Sequence, residues 1–492
     1  MKIVVANSIG VDRQGNYIIH SPSRWSEGVR CRAHWFAYYP WELAYLSSLL
    51  KRQTAHAVRF VDGCLWRLNG QRYEDLIVRE KPELLIVESA TRMIEENAAM
   101  ALRVKVRSGA KLVFVGQHAS AFPDELLSRG IDYVCCGEYE MTVLALCRGE
   151  PPETIAGLYP QPRRPLLDVR TLPWPEDDDV RRMDYGIPGE PSSEFREIQM
   201  YASRGCPMSC SFCVARNVYY AQANWRPRAI ADVIAEITAL KRKYPAMEGV
   251  FFDEEAHNGS REFIVSLTAA IRAAGLAGLR YEAMCDLRLL DEELLAAMHA
   301  AGYYKIRVGI ESVSREVLAG MGKGLEPAAV EQRLAAAKRV GLKTYGTFML
   351  GAPASTERDD EKTVAFMRRL FRQGILDNAQ ISICTPQPGT PFYEQACRQG
   401  WLNRQVPYHA FDGGCRAIVD YPGYRARRIS RMRRRAFLMR DHAYLARKLV
   451  SGGWLSWILE IYRRYGARGL LRKAAARLRA EVAFCVENLR VW

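Results

Sequence analysis

Short runs of Val, Ile, Leu and Phe alternate with amphipathic stretches over the first 150 residues of this 492-residue chain. Lys2–Ala6, Ala57–Gly63, Glu83–Ser89, Lys111–Gln117 and Asp132–Gly137 carry β-branched or aromatic residues at their centres and are predicted as strands. Segments between them, such as Met93–Val106, have helical periodicity and can cross over from one strand to the next. That order predicts an α/β unit over 1–150: a parallel, doubly wound, Rossmann-like sheet that binds ligands beyond its strand C-termini.

Over 151–195, nine prolines and the run Glu176-Asp177-Asp178-Asp179 replace periodicity, so this segment is expected to be a linker with a solvated acidic loop. A second alternation follows over 196–402. Its strands are expected at Ile198–Ser203, Gly249–Asp253, Arg280–Met284, Lys305–Ile310, Lys343–Leu350 and Gln380–Thr385. Helices are expected at Ile230–Lys243, Ser260–Ala273, Asp291–Ala301, Pro327–Val340 and Asp359–Arg372. Six βα repeats fall short of a closed eight-stranded barrel and suit a partial (β/α)6 TIM barrel, with its functional face at the strand C-termini. Residues 403–492 read as an α-helical, basic region broken at Gly452-Gly453 and Gly466.

Composition adds little until charge is located. With 49% hydrophobic and 25% charged residues, the chain is ordinary globular protein and neither collagen-like nor disordered. It has no apolar run of membrane-spanning length and no signal-like N-terminus, so it is expected to be cytoplasmic. The net charge of +15 resides in Arg425–Arg479, where 17 Lys/Arg face Asp441 and Glu460. Ile429, Met432, Phe437 and Leu438, then Trp454, Leu455, Trp457 and Ile458, accompany that charge. Two readings follow: a helical bundle packed on the barrel, or a peripheral contact with anionic lipid at the inner membrane face, or with a lipid-like substrate. Nucleic acid is not the expected partner.

Thirteen cysteines in a chain expected to meet a reducing cytosol argue for metal binding over a disulfide framework. Cys31, Cys64, Cys147, Cys285, Cys397 and Cys485 are isolated and read as small buried hydrophobes. Cys206, Cys210 and Cys213 stand apart, in RGCPMSCSFC just after the first strand of the second alternation. A loop can wrap three thiolates around one centre. Structural zinc needs a fourth ligand, and none follows at finger-like spacing. A [4Fe-4S] cluster on three cysteines leaves one iron open to a substrate or cofactor.

The CxxxCxxC spacing, with Phe212 before the third cysteine, resembles the signature of the radical S-adenosylmethionine enzymes. The resemblance covers about Ile198 to Leu402. It implies a [4Fe-4S] cluster on Cys206, Cys210 and Cys213, chelated at its open iron by S-adenosylmethionine, whose cleavage gives a 5′-deoxyadenosyl radical. Phe212 would then flank the adenine. FFDEEAH (Phe251–His257) looks like the segment that contacts the methionine portion, here through Glu254, although Asp253, Glu254 and Glu255 serve as well to cap a helix. VGIES (Val308–Ser312) resembles the strand end whose Glu311 and Ser312 help to hold S-adenosylmethionine. FMLGAP (Phe348–Pro353) resembles the turn whose Gly351 passes close to the nucleoside. TPQPGTPFYE (Thr385–Glu394) is similar to the last-strand motif of methylthiotransferases and oxidative cyclases. One departure is Asp286-Leu287-Arg288, where relatives of this type carry Arg-x-Asp.

The N-terminal unit is similar to the cobalamin-binding domain of the B12-dependent branch of that family. YYPWELAYLSSLL (Tyr38–Leu50), VDG (Val61–Gly63), GQHASAFP (Gly116–Pro123) and CGEYE (Cys136–Glu140) carry the likeness. It implies cobalamin contacts from Tyr39, Asp62, Ser89, Gly116, His118, Ala119, Gly137 and Glu138. The Asp-x-His-x-x-Gly motif is missing, so His118 is not assigned to cobalt.

Together these resemblances imply a cobalamin-dependent radical methyltransferase acting on an unactivated carbon of a small-molecule or lipid-like substrate. An electron donor of the flavodoxin or ferredoxin type would serve it. A cyclase or rearranging enzyme with the same cofactors, on a lipid or tetrapyrrole, is the alternative reading, and a non-catalytic corrinoid- or cluster-binding accessory protein is a third. The sequence names no general acid or base.

Overall fold

The computed structural model describes residues 1–21, 25–29, 36–187, 193–402, 405–413 and 416–450, with separate stretches up to 478. In the N-terminal unit the strands are β1 (Lys2–Asn7), β2 (Tyr17–Ser21), β3 (Trp25–Val29), β4 (Ala57–Asp62), β5 (Leu84–Glu88), β6 (Lys111–Val115) and β7 (Tyr133–Val134). All five expected strands are present, in a parallel sheet of order β4-β1-β5-β6-β7. The antiparallel hairpin β2–β3 was not expected; it lies in the connection that follows β1.

The second unit contains β8 (Glu197–Met200), β9 (Ser203–Arg204), β10 (Arg226–Pro227), β11 (Gly249–Phe252), β12 (Arg280–Cys285), β13 (Tyr303–Glu311), β14 (Lys343–Leu350) and β15 (Asn378–Ile383). Six of these form a parallel sheet in the order β15-β14-β13-β12-β11-β8. The small pair β9–β10 stands at its mouth. Helices Ile230–Lys243, Arg261–Ala273, Glu292–Ala300, Pro327–Arg339 and Glu357–Arg372 occupy the expected crossovers.

Residues 151–187 are not a loose tether. Tyr39, Trp41 and Leu43 of the first unit pack with Met183 and Tyr185 of this segment and with Ile198 and Tyr201 of the barrel in one shared core. Trp41 stacks on Tyr201 with ring centroids 4.1 Å apart. The acidic run, expected to be solvated, is largely engaged. Glu176 is buried and accepts hydrogen bonds from Ser47 Oγ (2.6 Å) and Lys51 Nζ (2.7 Å), and Asp179 accepts the Phe60 N–H (2.8 Å). Asp178 alone among these four is well exposed. Nearby basic groups of the first unit explain the difference, because they supply partners that make burial of a carboxylate tolerable.

The helix Ala426–Val450 lies along β15 and the helix Glu357–Arg372. It buries Ile429, Met432, Ala436 and Leu438, which favours the packed-bundle reading for this stretch. Arg433 Nε donates to the Ile381 carbonyl (3.2 Å), Arg440 Nη1 to that of Ala379 (2.9 Å) and Arg447 Nη1 to that of Leu376 (3.2 Å). Residues seven apart lie on one helix face, so Arg433 and Arg440 satisfy outward carbonyls of the edge strand β15, and Arg447 that of Leu376 just before it. Trp454, Trp457 and the expected break at Gly452-Gly453 lie outside the described residues. Among the described residues, no helix is long and apolar enough to cross a membrane.

Candidate functional site

A cavity of about 310 Å³ opens at the C-terminal ends of β11–β15. Its wall includes Phe212 and Cys213 from the loop after β9, Glu254 after β11, Glu311 at the end of β13, and Tyr38 from the N-terminal unit. The two parallel sheets present their C-terminal edges to each other here. Gln117, just after β6, donates through Nε2 to Gln387 Oε1 after β15 at 3.0 Å.

The cysteine loop is braced along its length. The Ser211 N–H donates to the Met321 carbonyl (2.8 Å), and Asn217 Nδ2 donates to the carbonyls of Cys210 (2.8 Å) and Cys213 (2.7 Å). Upstream, one Glu254 oxygen accepts the N–H groups of Ala202 (2.6 Å) and Ser203 (2.7 Å), while the other pairs with His257. Glu255 accepts the Gly205 N–H and the Tyr220 hydroxyl, each at 3.0 Å. These carboxylates do not cap the following helix, whose N-cap is Ser260. They fix the backbone that leads into Cys206.

All three thiols are half-buried. Burial pushes Cys206 up to about 12 and Cys213 up to about 11, so ligation must displace the thiol protons against that cost. Burial also raises Cys210, but Lys323 and Arg288 beside it pull the other way. Asp286 and Arg288, the departure from the family pattern, pair with each other at 2.6 Å on this side of the loop. Among the described residues, no three His, Cys, Asp or Glu side chains are placed to hold a single metal ion. Three thiols on one braced loop, with cations at hand, suit a wider, negatively charged iron–sulfur centre.

Glu311 sits at φ +64°, unusual for a residue with a side chain, where the β13–β14 register shifts. The turn aims its carboxylate into the cavity, where Lys323 Nζ donates to it at 3.1 Å and Thr347 Oγ1 at 3.3 Å. A strained backbone held by surrounding structure is a common mark of a functional position. Ser312 is buried outside the cavity wall, with its hydroxyl 3.2 Å from that of Thr363. Gly351 also lies elsewhere. At φ +66°, its added Cβ would stand 2.6 Å from Ile429 Cγ2, so it makes a close approach to the C-terminal helix.

In the N-terminal unit, Asp62, Ser89, Gly116, His118 and Ala119 are brought to the C-terminal edge of the sheet. Asp62 accepts from Asn7 Nδ2 (3.0 Å) and the Tyr185 hydroxyl (2.5 Å). Ser89 Oγ accepts from Asn97 Nδ2 (2.9 Å), and Gly116 lies against Glu88. His118 is buried, with Nδ1 3.3 Å from Thr91 Oγ1 and its ring edge-on to Phe122 and Tyr408. Ala119 is buried and its carbonyl accepts from Cys136 Sγ. The Gly137 N–H donates to Ser120 Oγ (2.9 Å). Glu138 accepts two bonds from Arg226 (2.8 and 2.9 Å) and pairs with Arg204 (3.3 Å), so its carboxylate joins the two units. Tyr39 is buried beneath the linker, its hydroxyl on the Glu176 carbonyl, whereas its neighbour Tyr38 reaches the cavity.

Several wall residues were not expected: Tyr38, Arg307, Tyr345, Gln380 and Ser382. For Arg307, Gln380 and Ser382 the signal in the sequence was polar residues at alternate positions within apolar strands. Arg307 is held by Glu282 at 2.6 Å and lies over Phe251 and Tyr345.

Residues 200–367 match the family model described as the Radical SAM superfamily. Over 458 residues the chain is 28% identical to an uncharacterized methyltransferase of Pyrococcus horikoshii, spanning 88% of this chain and 93% of the relative. Its fold is like that of OxsB, a cobalamin-dependent S-adenosylmethionine radical enzyme solved with aqua-cobalamin and S-adenosylmethionine. That match has a TM-score of 0.67 at 12% identity and covers 98% of this chain and 71% of that one. TsrM from Kitasatospora setae, a radical S-adenosylmethionine methyltransferase solved with tryptophan and an S-adenosylmethionine analogue, matches with a TM-score of 0.60 at 18% identity. It covers 81% of this chain and 76% of that one. At these identities the likeness to the solved structures is one of fold.

Proposed function

We propose that this chain, a radical SAM enzyme by its domain at residues 200–367, is a cobalamin-dependent methyltransferase that places a methyl group on an unactivated carbon. One observation carries the reading: the thiol loop and a residue of the N-terminal unit, Cys213 and Tyr38, wall the same cavity between two facing sheet edges. The relative named as a methyltransferase, aligned along nearly the whole chain, supports it. So does the shared architecture with enzymes solved with cobalamin or an S-adenosylmethionine analogue.

The residues fit the groups implied. Three half-buried thiols fit an iron–sulfur cluster with one open iron, and the cavity beside Cys213 sets aromatic and aliphatic walls, such as Phe212, Phe251 and Phe348, against polar and charged groups able to orient a nucleoside and its amino-acid end. The edge of the N-terminal sheet carries buried polar groups, and Asn7 Oδ1 there has no hydrogen-bond partner among the described residues, which suits an amide-rimmed corrinoid. When bound, these groups supply a carbon radical able to take hydrogen from an unreactive C–H bond and a methyl group to replace it.

The chain's own part is positional. Cys206, Cys210 and Cys213 hold the cluster; Lys323 and Arg288 offset its charge; Glu254 and Glu255 keep the loop in place. Phe212 and Phe348 give the cavity an apolar wall that excludes water from a reactive radical, while Glu311 offers a fixed acceptor to the bound cofactor. A small-molecule or lipid-like substrate enters the same cavity, and a flavodoxin- or ferredoxin-type protein supplies electrons.

The test is anaerobic reconstitution with iron, sulfide and cobalamin, followed by reduction in the presence of S-adenosylmethionine and candidate substrates. S-Adenosylhomocysteine and 5′-deoxyadenosine formed in equal amounts with a methylated product support the proposal. 5′-Deoxyadenosine without stoichiometric S-adenosylhomocysteine points to a cyclising or rearranging enzyme. No cleavage at all under strong reduction leaves an accessory binding protein and overturns it.

A further inference from the structure

Arg307 comes from the middle of β13, four residues before Glu311, and no other Lys, Arg or His stands on the cavity wall among the described residues. The carboxylates on that wall, Asp253, Glu254, Glu255, Glu311 and Asp412, come from the ends of their strands or from beyond them. Each already has a partner: His257 for Glu254, Tyr220 for Glu255 and Lys323 for Glu311, with Asp253 and Asp412 engaged as well. Arg307 is different.

Its side chain is only 5% exposed, and one edge of the guanidinium is fully used. Nη2 donates to Glu282 Oε1 at 2.6 Å and to Ser193 Oγ at 3.2 Å, and Nε donates to Glu282 Oε2 at 3.3 Å. Glu282 is shared, since it also pairs with the Lys305 ammonium. The other edge is not used: Nη1 has no acceptor among the described residues. The rings of Phe251 and Tyr345 lie against the guanidinium, with centroids 4.3 and 4.8 Å from its carbon, and hold its plane. A planar fork fixed in this way presents its unused N–H groups in one direction, ready for an oxyanion. Buried charged donors need acceptors, and the one that Nη1 lacks has to come from what fills the cavity. An ion pair that served only to hold the barrel together would have no need of the cavity wall, because barrel interiors fill readily with branched apolar side chains.

We propose that Arg307 is the seat for an oxyanion on the substrate, so that the molecule methylated in this cavity is a small organic acid, a carboxylate or a phosphate ester. S-Adenosylmethionine, chelated at the cluster beside the cysteine loop, leaves the middle of β13 to a second molecule. Held at Arg307 by its acidic group, that molecule extends its other end toward Cys213 and Tyr38, where the two units wall the cavity. The inference rests on the functional reading above and adds to it a substrate class and a binding residue that lies in none of the motifs behind that reading.

The test uses full-length protein reconstituted with iron, sulfide and cobalamin, and equilibrium dialysis against benzoate, phenyl phosphate and benzamide, with and without S-adenosylmethionine. These probes share a ring and differ in the head group. At least one of the two anions should bind about tenfold or more tightly than benzamide, as a charge-assisted hydrogen bond requires, and the tighter anion tells a carboxylate from a phosphate. In Arg307→Gln that advantage should vanish, while affinity for S-adenosylmethionine stays within about twofold. Arg307→Lys keeps the charge but loses the planar fork, so it should retain only part of the advantage, and it decides the matter if Arg307→Gln folds poorly. Wild-type protein that prefers neither anion to benzamide overturns the inference, as does a preference undiminished in the folded variant. Displacement of the bound anion by S-adenosylmethionine also overturns it, because Arg307 would then seat the cofactor's own carboxylate. Anion binding as expected in protein that never cleaves S-adenosylmethionine upholds the seat and overturns the enzymatic reading instead.

Discussion

Glu254 reaches across from the end of β11 to accept the Ala202 N–H at 2.6 Å, and that bond joins a carboxylate expected on the ligand to backbone leading into Cys206. The carboxylate is fully buried, so its bonds to Ala202 and Ser203 are charge-assisted in a dry setting. Glu254→Gln should cost about 2–4 kcal/mol of stability, because a neutral amide weakens both bonds and aims an N–H₂ group at N–H donors or at His257. It should also lower iron content per chain after reconstitution. A variant with full iron content and unchanged melting would show that the bracing is dispensable.

Cys206→Ala, Cys210→Ala and Cys213→Ala should each abolish the broad visible absorbance of the reconstituted protein and reduce S-adenosylmethionine cleavage by about a hundredfold or more, since two thiolates cannot hold the cluster with one open corner. Far-ultraviolet circular dichroism should be unchanged, the thiols being only half-buried, with Cys213 at the edge of the main core. Retained colour in any one of the three would remove that residue from the ligand set.

Gly351→Ala tests where the turn after β14 makes its close contact. A methyl group there meets Ile429 at 2.6 Å on a backbone at φ +66°, so the expected loss is roughly 1–3 kcal/mol. Adding Ile429→Ala should return the steric part of that loss. Affinity for S-adenosylmethionine should stay within about twofold, measured by equilibrium dialysis; a large fall with intact stability would put the nucleoside back beside Gly351.

Asp360 provides a pH test. Burial raises its carboxyl to about 7, although the Tyr424 hydroxyl (2.7 Å) and the Gly351 N–H (2.8 Å) both donate to it. A carboxyl with a folded pKa above its unfolded value near 4 holds its proton more tightly in the native state. Its contribution is therefore present below about pH 4 and is lost as pH rises toward 7. Relative to Asp360→Asn, the wild type should become progressively less stable from pH 5 to pH 8 in urea titrations. A difference independent of pH would show that Asp360 ionises normally.

Much of the architecture was legible because β-branched runs and 3.6-residue periodicity are local signals. Helix Ile230–Lys243 and strand Lys343–Leu350 have the bounds their patterns suggest. Residues singled out by their type, Cys213, Phe212 and Glu311, are brought together on the cavity wall. The site was illegible where adjacent residues of one kind divide their duties by direction. Tyr38 reaches the cavity while Tyr39 turns under the linker, and Glu176 is buried while Asp178 is solvated. Those choices depend on partners far away in the chain. Glu176 needs Lys51 and Ser47, and Gly351 is explained only by Ile429, 78 positions later by residue number.

The three arginines along β15 bear on how this enzyme can be divided. A fragment stopped at Leu402, where the βα repeats end, would lose Arg433, Arg440 and Arg447 and leave the Ala379 and Ile381 carbonyls facing water. Such a seam can recruit a strand from a second molecule, so the shortened product should self-associate on purification. A portion that keeps this edge covered therefore extends at least through Arg447, and part of the positive charge in its final helix works as a selvedge for the barrel.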